Sequence, residues 1–293
     1  MAWPDETTAD QLTTANGTPF RRARLYPNGV PDRATIHAPT AIAEGGPARL
    51  VIAFHGTDGF DSTMDGSFQV PTRDALLDAG YVIVSGQLGT NTWGNATGIE
   101  RLVNLYAWCQ SVWEVTDTLF YGQSQGGGVA MAATRLGVVP TLRAVALLAP
   151  AVNFQWVATQ GGSSTAILDA YGATVDNFAQ LSADRAPLAG TTADYAGLRV
   201  QAWASYADTT TPKSEHIDQF PALGLTASMA SFSSVTVAGG HLSTDHYRPQ
   251  DVVSFYSGAL NSQPQSTPAT LRRWTGDQWA PTTLQIWAGN AWG

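Results

Sequence analysis

The chain has 293 residues, with 15 Lys or Arg against 23 Asp or Glu and a formal net charge of −8. A hydrophobic share of 44% excludes wholesale disorder, and an acidic chain without basic clusters is a poor match for nucleic acid or anionic lipid. The single cysteine, Cys109, excludes an internal disulfide, and no Cys/His cluster has zinc-like spacing.

Met1 is followed by Ala2-Trp3-Pro4-Asp5-Glu6, which lacks the basic start and apolar core of a signal peptide, so export through a cleaved signal is not expected. Residues 21–39 read as an antiparallel edge hairpin turning at Asn28-Gly29. From about 49 to 260, short apolar runs alternate with helix-like stretches. The runs at 50–54, 81–84, 119–121, 144–148, 200–204 and 235–238 read as strands buried on both faces. The longest apolar run, 144–152, is broken by Pro150 and falls far short of the ~20 residues that span a bilayer, so no membrane span is expected. Between the strands, Ile99, Leu102, Val103 and Tyr106 share one helical face, while 72–79 and 129–136 end at Gly80 and Gly137, as helices tend to. A last helix is expected to begin near Pro249. This alternation predicts an α/β fold with a mostly parallel central sheet flanked by helices.

Residues 152–196 break the rhythm, with helix-like pieces at 165–170 and 176–182, and read as a lid-like insertion. Residues 261–269 have linker composition, separating a domain at 1–260 from a tail at 270–293. The tail repeats W-x-G-x-x-W at 274–279 and 287–292 and holds four of the ten tryptophans. Two hairpin-sized pieces do not bury that much aromatic surface alone, so the tail is expected to be a small β extension docked on the domain, on a second copy or on a partner.

The chemistry concentrates at Gly122-Gln123-Ser124-Gln125-Gly126, where a β-like run meets a small-residue helix. That is the strand–turn–helix setting of a nucleophile elbow. A serine hydroxyl needs a base, and the base an orienting acid, in chain order Ser…Asp/Glu…His at the ends of later strands. Asp208 stands in a polar loop just past the run at 200–204, and His241 follows Gly239-Gly240 after the last run. These are the assigned acid and base; Glu215 or Asp218 remain alternative acids, and His246 an alternative base. The N–H groups of Gln125 and Thr57, the latter in His55-Gly56-Thr57-Asp58-Gly59, are the expected oxyanion hole. His55 reads as structural, and His37 and His216 as surface histidines. No cofactor or metal is called for.

With these residues in place, His55-Gly56, Gly122-Gln-Ser124-Gln-Gly126, the Asp208 loop and Gly239-Gly240-His241 resemble the α/β-hydrolase superfamily of serine esterases. The flavour is that of polyhydroxybutyrate depolymerase-like, feruloyl-esterase-like and cutinase-like enzymes. The resemblance covers about 45–260 and implies a serine carboxylester hydrolase working through an acyl-enzyme. The insertion carries Phe154, Trp156, Tyr171 and Phe178, so an ester with an apolar acyl part is the expected substrate, with Phe154 and Trp156 contacting it. The C-terminal repeats resemble the ends of minor tail proteins from phages of actinobacteria, which fits a chain whose only lysine is Lys213. That second resemblance implies a virion location, with tail proteins or a second copy as partners. The rival expectations are a serine peptidase or amidase, and a virion attachment protein retaining the fold without turnover.

Overall fold

The apolar runs become the centre of a nine-stranded sheet in the computed structural model, which describes residues 2–261 and the backbone of 272–274 and 279–281. In chain order the strands are β1 (Glu6–Thr13), β2 (Pro19–Leu25), β3 (Ala34–Pro39), β4 (Pro47–Phe54), β5 (Val82–Gly86), β6 (Glu114–Gln123), β7 (Leu142–Leu148), β8 (Arg199–Ala204) and β9 (Ser231–Thr236). They lie side by side as β1-β2-β3-β5-β4-β6-β7-β8-β9. From β5 to β9 every pairing is parallel, whereas β1, β2 and β3 add antiparallel pairings on one side.

The period-2 alternation of a strand divides these runs between two cores. Leu50, Ile52 and Phe54 of β4 point to one face with Val82, Val84, Phe120, Val145 and Leu147. Val51 and Ala53 point to the other with Ile83, Leu119, Tyr121 and Ala146. The first face is covered by α2 (Ala96–Val112) and α3 (Gln125–Leu136), through Ile99, Leu102, Leu105, Val129 and Met131. The second is covered by α1 (Val70–Asp78) and the C-terminal α8 (Pro249–Asn261), through Leu76, Leu77, Val252 and Tyr256. Burial on both sides is why these strands read as continuous apolar runs rather than alternating ones.

Between β7 and β8 lie α4 (Phe154–Gln160), α5 (Ser164–Tyr171) and α6 (Val175–Ser182). Their buried side chains Phe154, Val157, Ile167 and Phe178 form a third, smaller core with Trp93. The short α7 (Gln219–Ala222) precedes β9. A further antiparallel pair, β10 (Arg272–Trp274) and β11 (Trp279–Pro281), places Trp274 opposite Trp279 across the first W-x-G-x-x-W. The second repeat and residues 262–271 lie outside the described residues.

Three expectations need correction. The hairpin of β2 and β3 is not at the sheet edge, because β1 pairs outside it. Five of the eight β1 residues are charged or hydroxyl side chains, so it gives little apolar signal. His37 and His216 are not surface residues: both are buried. His37 lies on β3 beneath the sheet surface, its Nε2 3.0 Å from Asp65 Oδ1. His216 instead accepts a hydrogen bond at Nδ1 from the Asn153 N–H (3.1 Å). Finally, Asn261, read as the first residue of the linker-like stretch, is the last residue of α8.

Among the described residues, no helix is long and apolar enough to cross a membrane.

Candidate active site

The order of the sheet fixes where a site forms. β4 has β5 on one side and β6 on the other, so the chain reverses direction across the sheet here. In open α/β sheets the crevice at such a reversal, beyond the carboxyl ends of the strands, is the usual ligand position. The loops leaving β4, β5, β6, β7, β8 and β9 all reach it, and they enclose a cavity of 310 Å³. Its walls include Thr57, Trp93, Ser124, Ala151, Thr211 and His241.

Ser124 sits between β6 and α3 with φ 51° and ψ −122°, a conformation that side-chain-bearing residues rarely adopt. The turn is held by β7 and its exit loop. The Ser124 N–H donates to the Leu148 carbonyl (2.9 Å), while its own carbonyl accepts from the Ala151 N–H (2.9 Å) and the Gly127 N–H (3.0 Å). The flanking glycines are steric necessities. A Cβ at Gly122 would lie 2.7 Å from the Gly126 carbonyl oxygen, and one at Gly126 would run into the carbonyl oxygens of Phe54 and His55. The helix therefore starts directly against β4, and Ser124 lines the cavity.

The sequence-selected side chains meet there. Ser124 Oγ lies 2.9 Å from His241 Nε2, and His241 Nδ1 lies 2.8 Å from Asp208 Oδ2. They come from three separate loops, 117 and 33 residues apart in the chain. The alternative groups do not join this line. Asp218 pairs with Lys213 (2.5 Å), Glu215 is exposed, and His246 packs against Ser243 (3.2 Å).

Asp208 is held by more than His241. Its Oδ1 accepts from the Thr210 N–H (2.8 Å) and the Thr211 N–H (3.0 Å), and the Thr211 hydroxyl lies 2.9 Å from Oδ2. Burial alone would raise the carboxyl's pKa. The hydrogen bonds from His241, then Thr211 and Thr210, outweigh it and hold the pKa at about 2. A carboxylate so placed orients His241 with its proton on Nδ1, leaving Nε2 free to accept from Ser124. Thr210 and Thr211 were missed in the sequence, because the N–H groups that hold Asp208 Oδ1 are main-chain donors that any non-proline residue carries.

That depressed pKa has a consequence for stability. The folded value lies below the ordinary carboxylate value, so the contribution of Asp208 is complete above about pH 4 and is lost as pH falls toward 2. The expected size is about 2 kcal/mol, since each tenfold change in proton affinity is worth about 1.4 kcal/mol. Denaturant titrations of wild type and Asp208→Asn at pH 7 and pH 2.5 should show a stability gap at pH 7 that narrows at pH 2.5. A gap independent of pH contradicts the assignment.

Gln125 opens α3, so its N–H is one of the four that a helix leaves without an intrahelical acceptor. Thr57 lies on the cavity wall, in a turn closed by the Gly59 N–H on the Gly56 carbonyl (3.0 Å). The His55 ring is tied to backbone on both sides, with Nδ1 2.7 Å from the Gly56 carbonyl oxygen and Nε2 2.8 Å from that of Gln87. It therefore braces the Thr57 turn against the loop after β5.

Phe154 and Trp156 do not line the cavity; α4 contributes Val157 instead. Phe154 is buried edge-on against Trp93 (ring centroids 5.9 Å apart), and Trp156 packs on His216. Burial in these contacts leaves the His216 Nε2 atom without a hydrogen-bond partner and lowers its pKa to about 4. The aromatic that does reach the cavity is Trp93, which nothing in its Thr-Asn-Thr-Trp-Gly context marks as a wall residue.

No protein-family model matches the sequence, and no curated protein sequence matches it. Solved structures do match its shape. An S-formylglutathione hydrolase from Agrobacterium tumefaciens superposes with a TM-score of 0.63 at 14% identity, over 87% of this chain and 99% of the other. Est1E from Butyrivibrio proteoclasticus gives 0.53 at 15% identity, over 87% and 98%. A post-proline cleaving enzyme from Rickettsia typhi gives 0.64 at 13% identity over 85% of this chain, which spans only 43% of that enzyme's length. Sheet order, flanking helices and these superpositions agree: the chain has the α/β-hydrolase fold.

Proposed function

We propose that the protein is a serine carboxylester hydrolase. The observation that carries this reading is the continuous hydrogen-bonded line from Ser124 Oγ through His241 to Asp208, opening on a cavity walled by Thr57. Ser124 Oγ attacks the acyl carbonyl carbon as its proton passes to His241 Nε2, and Asp208 stabilises the imidazolium so formed. The N–H groups of Gln125 and Thr57 receive the developing oxyanion. Collapse of the tetrahedral intermediate breaks the bond to the leaving oxygen, which takes the proton from Nε2 and departs as the alcohol. Water repeats the sequence on the acyl-enzyme and releases the carboxylic acid, restoring Ser124. Fold neighbours that include esterases and an S-formylglutathione hydrolase support a hydrolase. The post-proline cleaving enzyme keeps an amide substrate in view.

The C-terminal repeats support a further reading, that the tail is an attachment segment of a phage tail protein acting on host-envelope esters. We place the domain boundary in the linker-like stretch after Asn261, the last residue of α8. The test uses p-nitrophenyl butyrate beside the p-nitroanilide of the same acid. The full chain and a chain lacking 268–293 should both turn over the ester, and Ser124→Ala should lose about 10⁴-fold or more of that rate. Preferred turnover of the anilide would make the protein an amidase. Loss of folding on truncation would make the tail part of the core rather than an attachment.

A further inference from the structure

The loop between β5 and α2 is costly backbone. Leu88, Gly89, Thr90, Trp93 and Gly94 all have φ between 50° and 72°. For a residue as bulky as tryptophan that conformation is a true outlier, and such outliers persist only where the surroundings over-determine them. Here they do. The Phe154 ring supports Trp93 from behind, the Tyr171 hydroxyl donates to the Trp93 carbonyl (3.0 Å), and Asn95 Nδ2 donates to the Ala170 carbonyl (2.6 Å). Two helices of the insertion thus hold one indole, 2% exposed, at the wall of the cavity.

The cavity has two characters. Gln123, Ser124, Thr210, Thr211 and His241 belong to its polar part, while Trp93, Ala151, Val157 and Leu242 are apolar, and Gly161 and Gly162 adjoin Val157 in the lining. In the proposed reaction the leaving oxygen must face His241 Nε2 to receive its proton, which places the alcohol beside His241 and Leu242. The acyl group is left the remaining wall. At 310 Å³ the space is near the lower end of the ~300–1,000 Å³ found for small-molecule sites.

We infer that Trp93, with Val157 and Gly162, forms the acyl pocket and selects esters of compact apolar acids over long-chain acyl groups. This rests on the esterase reading above and adds to it the substrate class and the residue that sets it. Phe154 then acts as a positioning residue through Trp93.

Gly162 supplies an independent handle. A Cβ there would meet nothing within 4 Å, so a side chain can start from this lining position without a clash at its first carbon. The experiment measures kcat/KM on p-nitrophenyl acetate, butyrate, octanoate and laurate for the wild type, Trp93→Ala and Gly162→Leu, and on acetates of increasingly long alcohols. In the wild type, butyrate should exceed laurate by at least about tenfold. Trp93→Ala should raise the laurate-to-butyrate ratio, and Gly162→Leu should lower the octanoate-to-acetate ratio, each by about tenfold. Should Trp93→Ala fail to fold, the Gly162→Leu ratio decides alone. Acyl profiles parallel to wild type, or shifts confined to the alcohol series, overturn the pocket assignment while ester turnover itself upholds the esterase. Absence of turnover on every ester, with Ser124 unreactive, overturns both.

Discussion

Asp208→Asn is expected to lower kcat on a p-nitrophenyl ester by about 10⁴-fold with little change in KM. The amide is nearly isosteric, so the Thr210 and Thr211 N–H groups still bond its oxygen. What changes is the partner of His241 Nδ1, 2.8 Å away. An amide nitrogen placed there donates instead of accepting and favours the tautomer with the proton on Nε2. That nitrogen then cannot accept from Ser124 Oγ, and the positive charge formed during attack loses its counter-charge. Steady-state kinetics at pH 7 check this. A loss below tenfold would mean that Asp208 only shapes the loop.

The second large effect is structural. Gly126→Ala places a methyl group 2.6 Å from the Phe54 carbonyl carbon and closer still to the oxygens of Phe54 and His55, all backbone atoms of the central sheet region. Flexible side chains yield to such a clash, whereas β4, paired on both sides, cannot. The expected cost is about 3 kcal/mol or more, measured as a shift in the denaturant midpoint. If the variant folds, α3 must move outward, carrying Gln125 N–H and Ser124 away from His241, so activity falls as well. Gly258→Ala on α8 is the control: its Cβ meets nothing within 4 Å, and helix propensity predicts stabilisation by up to ~1 kcal/mol. Equal stabilities for the two variants would contradict the packing described.

How much of this is legible in the sequence depends on how local the cause is. The elbow is readable because its constraints sit within five residues: a strand, a turn that needs glycine on both sides, and a helix. The chain order of Asp208 and His241 follows from the elbow once the strands are placed. β1 is not legible, because a mostly exposed edge strand carries no apolar signal. His37 and His216 are misread because burial of a lone polar residue depends on partners far away in sequence, Asp65 for one and Asn153 for the other. Trp93 is the most instructive case. The insertion's aromatics are visible in the sequence, but whether they face substrate or each other is decided by packing. Phe154 and Phe178 close their own small core, and Trp93, from a different loop, takes the cavity wall.

The central claim is that Ser124 is an activated nucleophile. Intact-mass measurement after exposure to a fluorophosphonate tests it most directly, because the reagent reacts with a serine hydroxyl only when a base and an oxyanion site are assembled around it. A single phosphonate adduct on the wild type, absent from folded Ser124→Ala, is the predicted result. No adduct on the folded wild type, or an adduct that persists in Ser124→Ala, would contradict it.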